Sequence, residues 1–148
     1  MQTTTNKYSF KKVMAIEDTK IDQYIIEKTM QKCNFSEELI VFGSPIDALS
    51  HFAKNSNTTE DLPQVIFLDI QMPKMNGFEF LAELNEKFSN LKDKIAVVLL
   101  TSSLDPTDKQ MSNSFPNIKL FMNKPLDIAK LEKVSAMMSV NSSILSAN

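Results

Sequence analysis

Val65-Ile66-Phe67-Leu68-Asp69-Ile70-Gln71-Met72-Pro73-Lys74-Met75-Asn76-Gly77 is the stretch whose reading decides the fold. Its first four residues are apolar and rich in β-branched and aromatic types, which predicts a short strand buried on both faces. The run stops at a carboxylate, Asp69, and then Pro73 and the Asn76-Gly77 pair turn the chain. A charge at the end of a buried strand is unfavourable unless something compensates or uses it. In open α/β sheets ligands gather outside the carboxyl ends of the strands. Asp69 is therefore the first functional candidate, against the plainer alternative that it only caps the turn behind it.

Other apolar runs end in the same manner. Lys11-Lys12-Val13-Met14-Ala15-Ile16 stops at Glu17-Asp18, and Ile95-Ala96-Val97-Val98-Leu99-Leu100 stops at Thr101-Ser102-Ser103. Ile118-Lys119-Leu120-Phe121-Met122-Asn123 runs into Lys124-Pro125. If these strands lie parallel, their ends bring three carboxylates, a hydroxyl and an ammonium to one rim. Such a rim suits a divalent cation and a phosphoryl group. Glu17 and Asp18 also have a simpler reading, as favourable charges at the start of a helix. Lys124 could likewise be an ordinary solvated lysine.

Between the runs the chain reads as helices. Thr19 and Asp22 form a capping pattern for a helix to about Lys32, with Ile21, Tyr24, Ile25 and Met30 approximating its apolar face. Glu38 to Phe42 is a second strand. Ser44, Pro45 and Asp47 open a helix that turns Ala48, Leu49, Phe52 and Ala53 inward and frays by Asn55. Phe80, Leu81, Leu84 and Phe88 mark a third helix after Gly77. Asp105-Pro106-Thr107-Asp108 starts a short fourth one, and a fifth begins near Leu126 or Asp127 and buries Ile128, Leu131 and Val134. Five strands alternating with five helices predict an α/β protein with a parallel sheet. Residues 1–9 read as a flexible tail, 10–138 as one domain, and 139–148 as a second flexible tail.

Composition narrows the function. The chain has 148 residues and a net charge of −2, which supplies no electrostatic case for nucleic acid or a membrane surface. Its apolar runs are too short to span a bilayer, and Met1 to Asn6 lacks the apolar core of a secretory signal. One cysteine, Cys33, fits a reducing cytoplasm and reads as a small apolar filler late in a helix. Only two glycines, Gly43 and Gly77, argue against glycine-rich phosphate loops.

The acidic pair Glu17-Asp18, Asp69 within DIQMPKMNG, Thr101, and Lys124-Pro125 together resemble the receiver domain of bacterial two-component response regulators, in its stand-alone form. Order and spacing match from about Lys11 to about Met137. The resemblance implies a flavodoxin-like, doubly wound five-stranded sheet of order 2-1-3-4-5, which sets the first and third strands side by side at the switch point. It implies Asp69 as phosphoacceptor, taking its phosphoryl group from the phosphohistidine of a sensor histidine kinase or histidine phosphotransfer protein. Mg2+ (or Mn2+) would be held by Asp18, Asp69 and the backbone carbonyl of Gln71, with Glu17 acting mostly through water. Thr101 and Lys124 would contact the phosphoryl oxygens. Ser102 or Ser103 could replace Thr101 if the register slips by a residue. The Lys124-Pro125 bond is expected to be cis. Thr101 and Phe121 would form the switch, Phe121 rotating inward as Thr101 is drawn to the phosphoryl group. A plain core phenylalanine is the competing reading of Phe121.

Output would then run through a downstream protein, and the chain would be a cytoplasmic switch rather than an enzyme. A haloacid-dehalogenase-type phosphatase also uses a strand-end aspartate, but it wants a second aspartate where Gln71 stands. A flavin-binding module lacks its phosphate loop here, and an adaptor that is never phosphorylated is a further alternative. Gln71 and Ser103 flank the path of the hydrolytic water. His51 reads as a solvated residue, and the nine methionines as core filling.

Overall fold

The computed structural model describes residues 7–55 and 61–147, with side chains as far as Ser139. Positions 1–6 of the expected N-terminal tail, most of the polar loop before Asp61, and Asn148 lie outside the described residues. In chain order the elements are β1 (Phe10–Ile16), α1 (Lys20–Lys32), β2 (Ser36–Phe42), α2 (Pro45–Asn55), β3 (Val65–Leu68), α3 (Gly77–Lys87), β4 (Ala96–Thr101), α4 (Pro106–Ser112), β5 (Ile118–Asn123) and α5 (Ile128–Ala147). A 3-10 turn, Ser89–Leu91, leads into β4. The strands form one parallel sheet in the order β2-β1-β3-β4-β5, as the resemblance implies.

Side chains alternate across a strand, so each strand of the sheet centre feeds two cores. Met14, Ile16, Ile66, Leu68, Val97 and Leu99 pack with Ala48 and Phe52 of α2 and Phe80, Leu81 and Leu84 of α3. Val13, Ala15, Val65, Phe67, Val98 and Leu100 pack with Ile26 and Met30 of α1 and Leu131 and Val134 of α5. This two-sided burial is why β3 needs no polar residue anywhere in Val65–Leu68.

Local signals set the helix ends. Thr19 caps α1, Asp105 caps α4 with Pro106 behind it, and Asn76 and Glu79 close a reciprocal capping box at α3. Asp127 accepts from the Lys130 amide at 2.8 Å and so opens α5.

Five expectations need correction. On α1 the buried residues are Ile26 and Met30, whereas Ile21 and Tyr24 are 72% and 59% exposed. Adjacent Ile25 and Ile26 offered two candidate faces, and docking against β1 and α5 selected the second. Ala53 is exposed on α2, and Ile128 is 38% exposed at the first turn of α5, whereas Leu131 and Val134 further along the helix are buried. His51 is half-buried rather than fully solvated: its ring lies 5.2 Å from Phe42 and its buried Nε2 has no hydrogen-bond partner among the described residues. Finally, α5 continues as helical backbone through Ala147, past the point after Met138 where sequence periodicity gives out. Among the described residues no helix is long and apolar enough to cross a membrane.

Candidate functional site

Backbone hydrogen bonds carried one step beyond the strands build the rim. The Glu17 amide donates to the Phe42 carbonyl at 3.0 Å, and the Asp69 amide to the Ile16 carbonyl at 3.1 Å. Asp69 therefore lies beside the end of β1, where the chain continues as Glu17-Asp18. On the other side the Lys124 amide donates to the Thr101 carbonyl at 2.9 Å. Strand order converts residues far apart in sequence into neighbours.

Behind Asp69 the loop closes tightly. The Gly77 amide donates to the Ile70 carbonyl at 2.8 Å, and the Met75 amide to the Pro73 carbonyl at 2.7 Å, around Lys74 with φ of 70°. A Cβ at Gly77 would overlap the Asp69 carbonyl oxygen and approach Ile70 Cα to 3.1 Å, which explains the glycine.

Carboxylate oxygens of Glu17, Asp18 and Asp69 all lie within 4.8 Å of one another. Glu17 and Asp69 are buried, while Asp18 is half-buried. Lys124 faces this group from β5. Its Nζ lies 2.7 Å from Glu17 Oε2 and 3.4 Å from Asp69 Oδ2. The Lys124-Pro125 bond is cis, as expected.

The electrostatics follow from burial and crowding. Burial pushes the Glu17 carboxyl up to about 7, with Asp69 adding repulsion and Lys124 opposing both. Burial also raises Asp69, although Lys124 and the Gln71 amide bonded to its carboxylate offset part of the rise. Lys124 is partly desolvated, but Glu17, Asp22 and Asp69 more than offset this and raise its pKa. An all-oxygen set of three clustered carboxylates, short of compensating charge, suits a hard divalent cation such as Mg2+ or Mn2+.

The hydroxyl at the rim is resolved by register. Thr101 is the last residue of β4 and fully buried, and its Oγ1 accepts from the Ser103 amide at 3.0 Å. Ser103 is turned instead toward α4, donating to Asp108 Oδ2 at 2.6 Å. Gln71 and Ser103 line one open cleft beside the site with Ile70, Pro73 and Asp105. Phe121 is half-buried against the core and pairs with Leu99, two residues before Thr101. Paired positions share a sheet face, so Phe121 and Thr101 stand on the same side.

Asp22 escaped sequence reasoning. Its Oδ2 accepts from Lys124 Nζ at 3.0 Å, across 102 positions of sequence, as well as from Thr19 Oγ1 at 2.8 Å. The capping pattern with Thr19 was legible. The lysine was not, because no local signal links α1 to the end of β5.

Fold and rim together define a flavodoxin-like α/β protein with an acidic, lysine-countered site at the switch point between β1 and β3. The chain belongs to the response regulator receiver domain family, whose family model matches residues 13–136. The chain is similar to response regulator Rcp1 of Synechocystis, 28% identical over 126 residues, covering 84% of this chain and 83% of Rcp1. It is also 27% identical over 124 residues to hybrid signal transduction histidine kinase L of Dictyostelium discoideum, of whose length it spans only 7%. Among solved structures, a two-component response regulator from Cytophaga hutchinsonii superposes with a TM-score of 0.77 at 26% identity, covering 85% of this chain and 96% of that one. The Mn2+-bound form of Rcp1 does so with a TM-score of 0.65 at 25% identity, covering 84% and 88%. Receiver domains are phosphoacceptor switches of two-component signalling.

Proposed function

We propose that Asp69 is the phosphoacceptor of this receiver and takes its phosphoryl group from a phosphohistidine. One observation carries the assignment: a buried carboxylate at the end of β3 has two further carboxylates on one side and a lysine 3.4 Å away. An Asp69 oxygen attacks phosphorus, the P–N bond of the phosphohistidine breaks, and the imidazole leaves with the electron pair and takes a proton. Hydrolysis of the resulting acyl phosphate returns the carboxylate.

Asp18, Asp69 and the Gln71 carbonyl would hold Mg2+ or Mn2+, with Glu17 behind them through water. When bound, that cation neutralises phosphoryl oxygens and relieves the repulsion among the carboxylates. Lys124 supplies a compact positive charge on a flexible stem from the opposite side. Thr101 exchanges its Ser103 contact for a donor bond to a phosphoryl oxygen. Phe121, on the same sheet face, follows Thr101 inward and reshapes the surface of α4, β5 and α5. This is a shift between two states of the domain.

The likeness to a hybrid histidine kinase supports a sensor kinase or phosphotransfer protein as donor; a downstream protein would receive the signal. The lone cysteine suits work in the cytoplasm. The only chemistry required is the domain's own phosphoryl transfer and autodephosphorylation.

The test is phosphate incorporation from acetyl phosphate with Mg2+, followed by intact mass and acid lability. One phosphoryl group per chain is expected, and none in Asp69→Asn. Labelling that survives in Asp69→Asn overturns the assignment.

A further inference from the structure

We propose that Asp22 is a positioning residue that competes with the phosphoryl group for the Lys124 ammonium and so sets the resting position of this lysine. The inference rests on the phosphoacceptor reading and adds a regulator of the same site. Lys124 Nζ meets three carboxylates, Glu17 at 2.7 Å, Asp22 at 3.0 Å and Asp69 at 3.4 Å. One N–H donor of the ammonium can face each of them, so in this resting arrangement none is left over for a phosphoryl oxygen.

The three partners are not equivalent. Glu17 and Asp69 belong to the clustered oxygens that suit a cation, and Asp22 does not. A cation held by Asp69, with Glu17 behind it through water, would weaken their hold on the lysine and leave Asp22 as its undiverted partner. Asp22 is also well anchored. Its Oδ2 accepts from Thr19 Oγ1 at 2.8 Å, and its own amide donates back to that hydroxyl at 3.4 Å. Lysine is a point charge on a flexible stem, so it can swing between an anchored anion at the first turn of α1 and a phosphoryl oxygen on Asp69. Whatever free energy the Asp22 pair contributes is subtracted from the phosphoryl contact. The pair is partly exposed, at 12% and 26% for the two side chains, so solvent screens it and the effect is moderate.

The experiment is calorimetric titration with beryllofluoride, a phosphoryl mimic, at saturating Mg2+. Asp22→Asn is expected to bind it roughly three- to tenfold more tightly than wild type. Asparagine still accepts from Thr19, so the α1 cap survives, and Asp22→Ser provides a second variant without the charge. Thermal unfolding confirms that both are folded. In a Lys124→Met background the gain from Asp22→Asn should vanish. Unchanged or weaker binding in both Asp22 variants overturns the proposal, and so does a gain that persists without Lys124, since that reports only the general field. The underlying reading is checked separately: if wild type binds no beryllofluoride, or Asp69→Asn binds it equally well, the phosphoacceptor reading falls and this inference with it. If wild type binds and Asp69→Asn does not, the Asp22 variants decide the inference alone.

Discussion

The Lys124 ammonium lies 2.7 Å from Glu17 Oε2, a pair formed by side chains that are 12% and 2% exposed. Lys124 thus already neutralises part of the acidic cluster that suits a divalent cation. Lysine and metal must therefore compete for the same carboxylates. Lys124→Met should raise Mg2+ affinity on the order of tenfold, about one partly screened charge–charge interaction of 1.4 kcal/mol. Calorimetric titration of the two proteins with MgCl2 checks this. Equal or weaker binding by the variant would mean that the lysine does not oppose the cation.

Gly77→Ala tests the backbone behind Asp69. The added methyl meets the Asp69 carbonyl oxygen and Ile70 Cα, which are backbone atoms and cannot rotate away. A loss of about 1–3 kcal/mol in urea unfolding is expected, together with poorer phosphorylation, because relief of the overlap moves Asp69. Wild-type stability would show that the loop yields without strain.

Thr101→Ala separates phosphorylation from switching. Asp69, the acidic cluster and Lys124 remain, so acetyl phosphate should still label the protein. The Ser103 amide loses its acceptor at 3.0 Å and the phosphoryl group loses its hydroxyl donor. NMR shifts of Phe121 on addition of beryllofluoride should therefore be much smaller than in wild type. Full-sized shifts in the variant would remove Thr101 from the switch.

His51 makes stability depend on pH. Burial lowers its pKa from the ordinary 6.5, Lys12 of β1 lowers it further, and Glu38 of β2 and Asp61 pull the other way. The Asn55 amide donates to Nδ1 at 3.3 Å, which leaves the proton on the buried Nε2. A depressed folded value means that the unfolded chain binds the extra proton first. His51 thus contributes stability above about pH 6.5, and this is lost as pH falls through the lower folded value. The urea midpoint should decline between about pH 7.5 and 5.5, and decline less in His51→Leu. Parallel pH profiles for the two proteins would rule this out.

Much of the site was legible because strand ends are local features. A buried run that stops at a carboxylate, a hydroxyl or a lysine can be read within six or seven residues, and Glu17, Asp69, Thr101 and Lys124 were each found in that way. Register then chose Thr101 over Ser103, since only the former ends β4 with its side chain inside. The face of α1, the surroundings of His51 and the pairing of Asp22 with Lys124 were not legible. Each depends on what lies opposite, and periodicity within one element carries no information about its neighbour.

Apolar runs alternating with capped helices by themselves determined the five strands and five helices, and that Glu17, Asp69 and Lys124 stand where strands stop. The runs and caps, and the placing of Glu17, Asp69 and Lys124 at strand ends while Lys11, Lys12, Glu38 and Lys119 lie within strands, are short-range consequences of side-chain period and turn chemistry. Only the tertiary structure decided that one lysine is shared among Glu17, Asp22 and Asp69. Electrostatic contacts act through space, and the order β2-β1-β3-β4-β5 sets which charges meet.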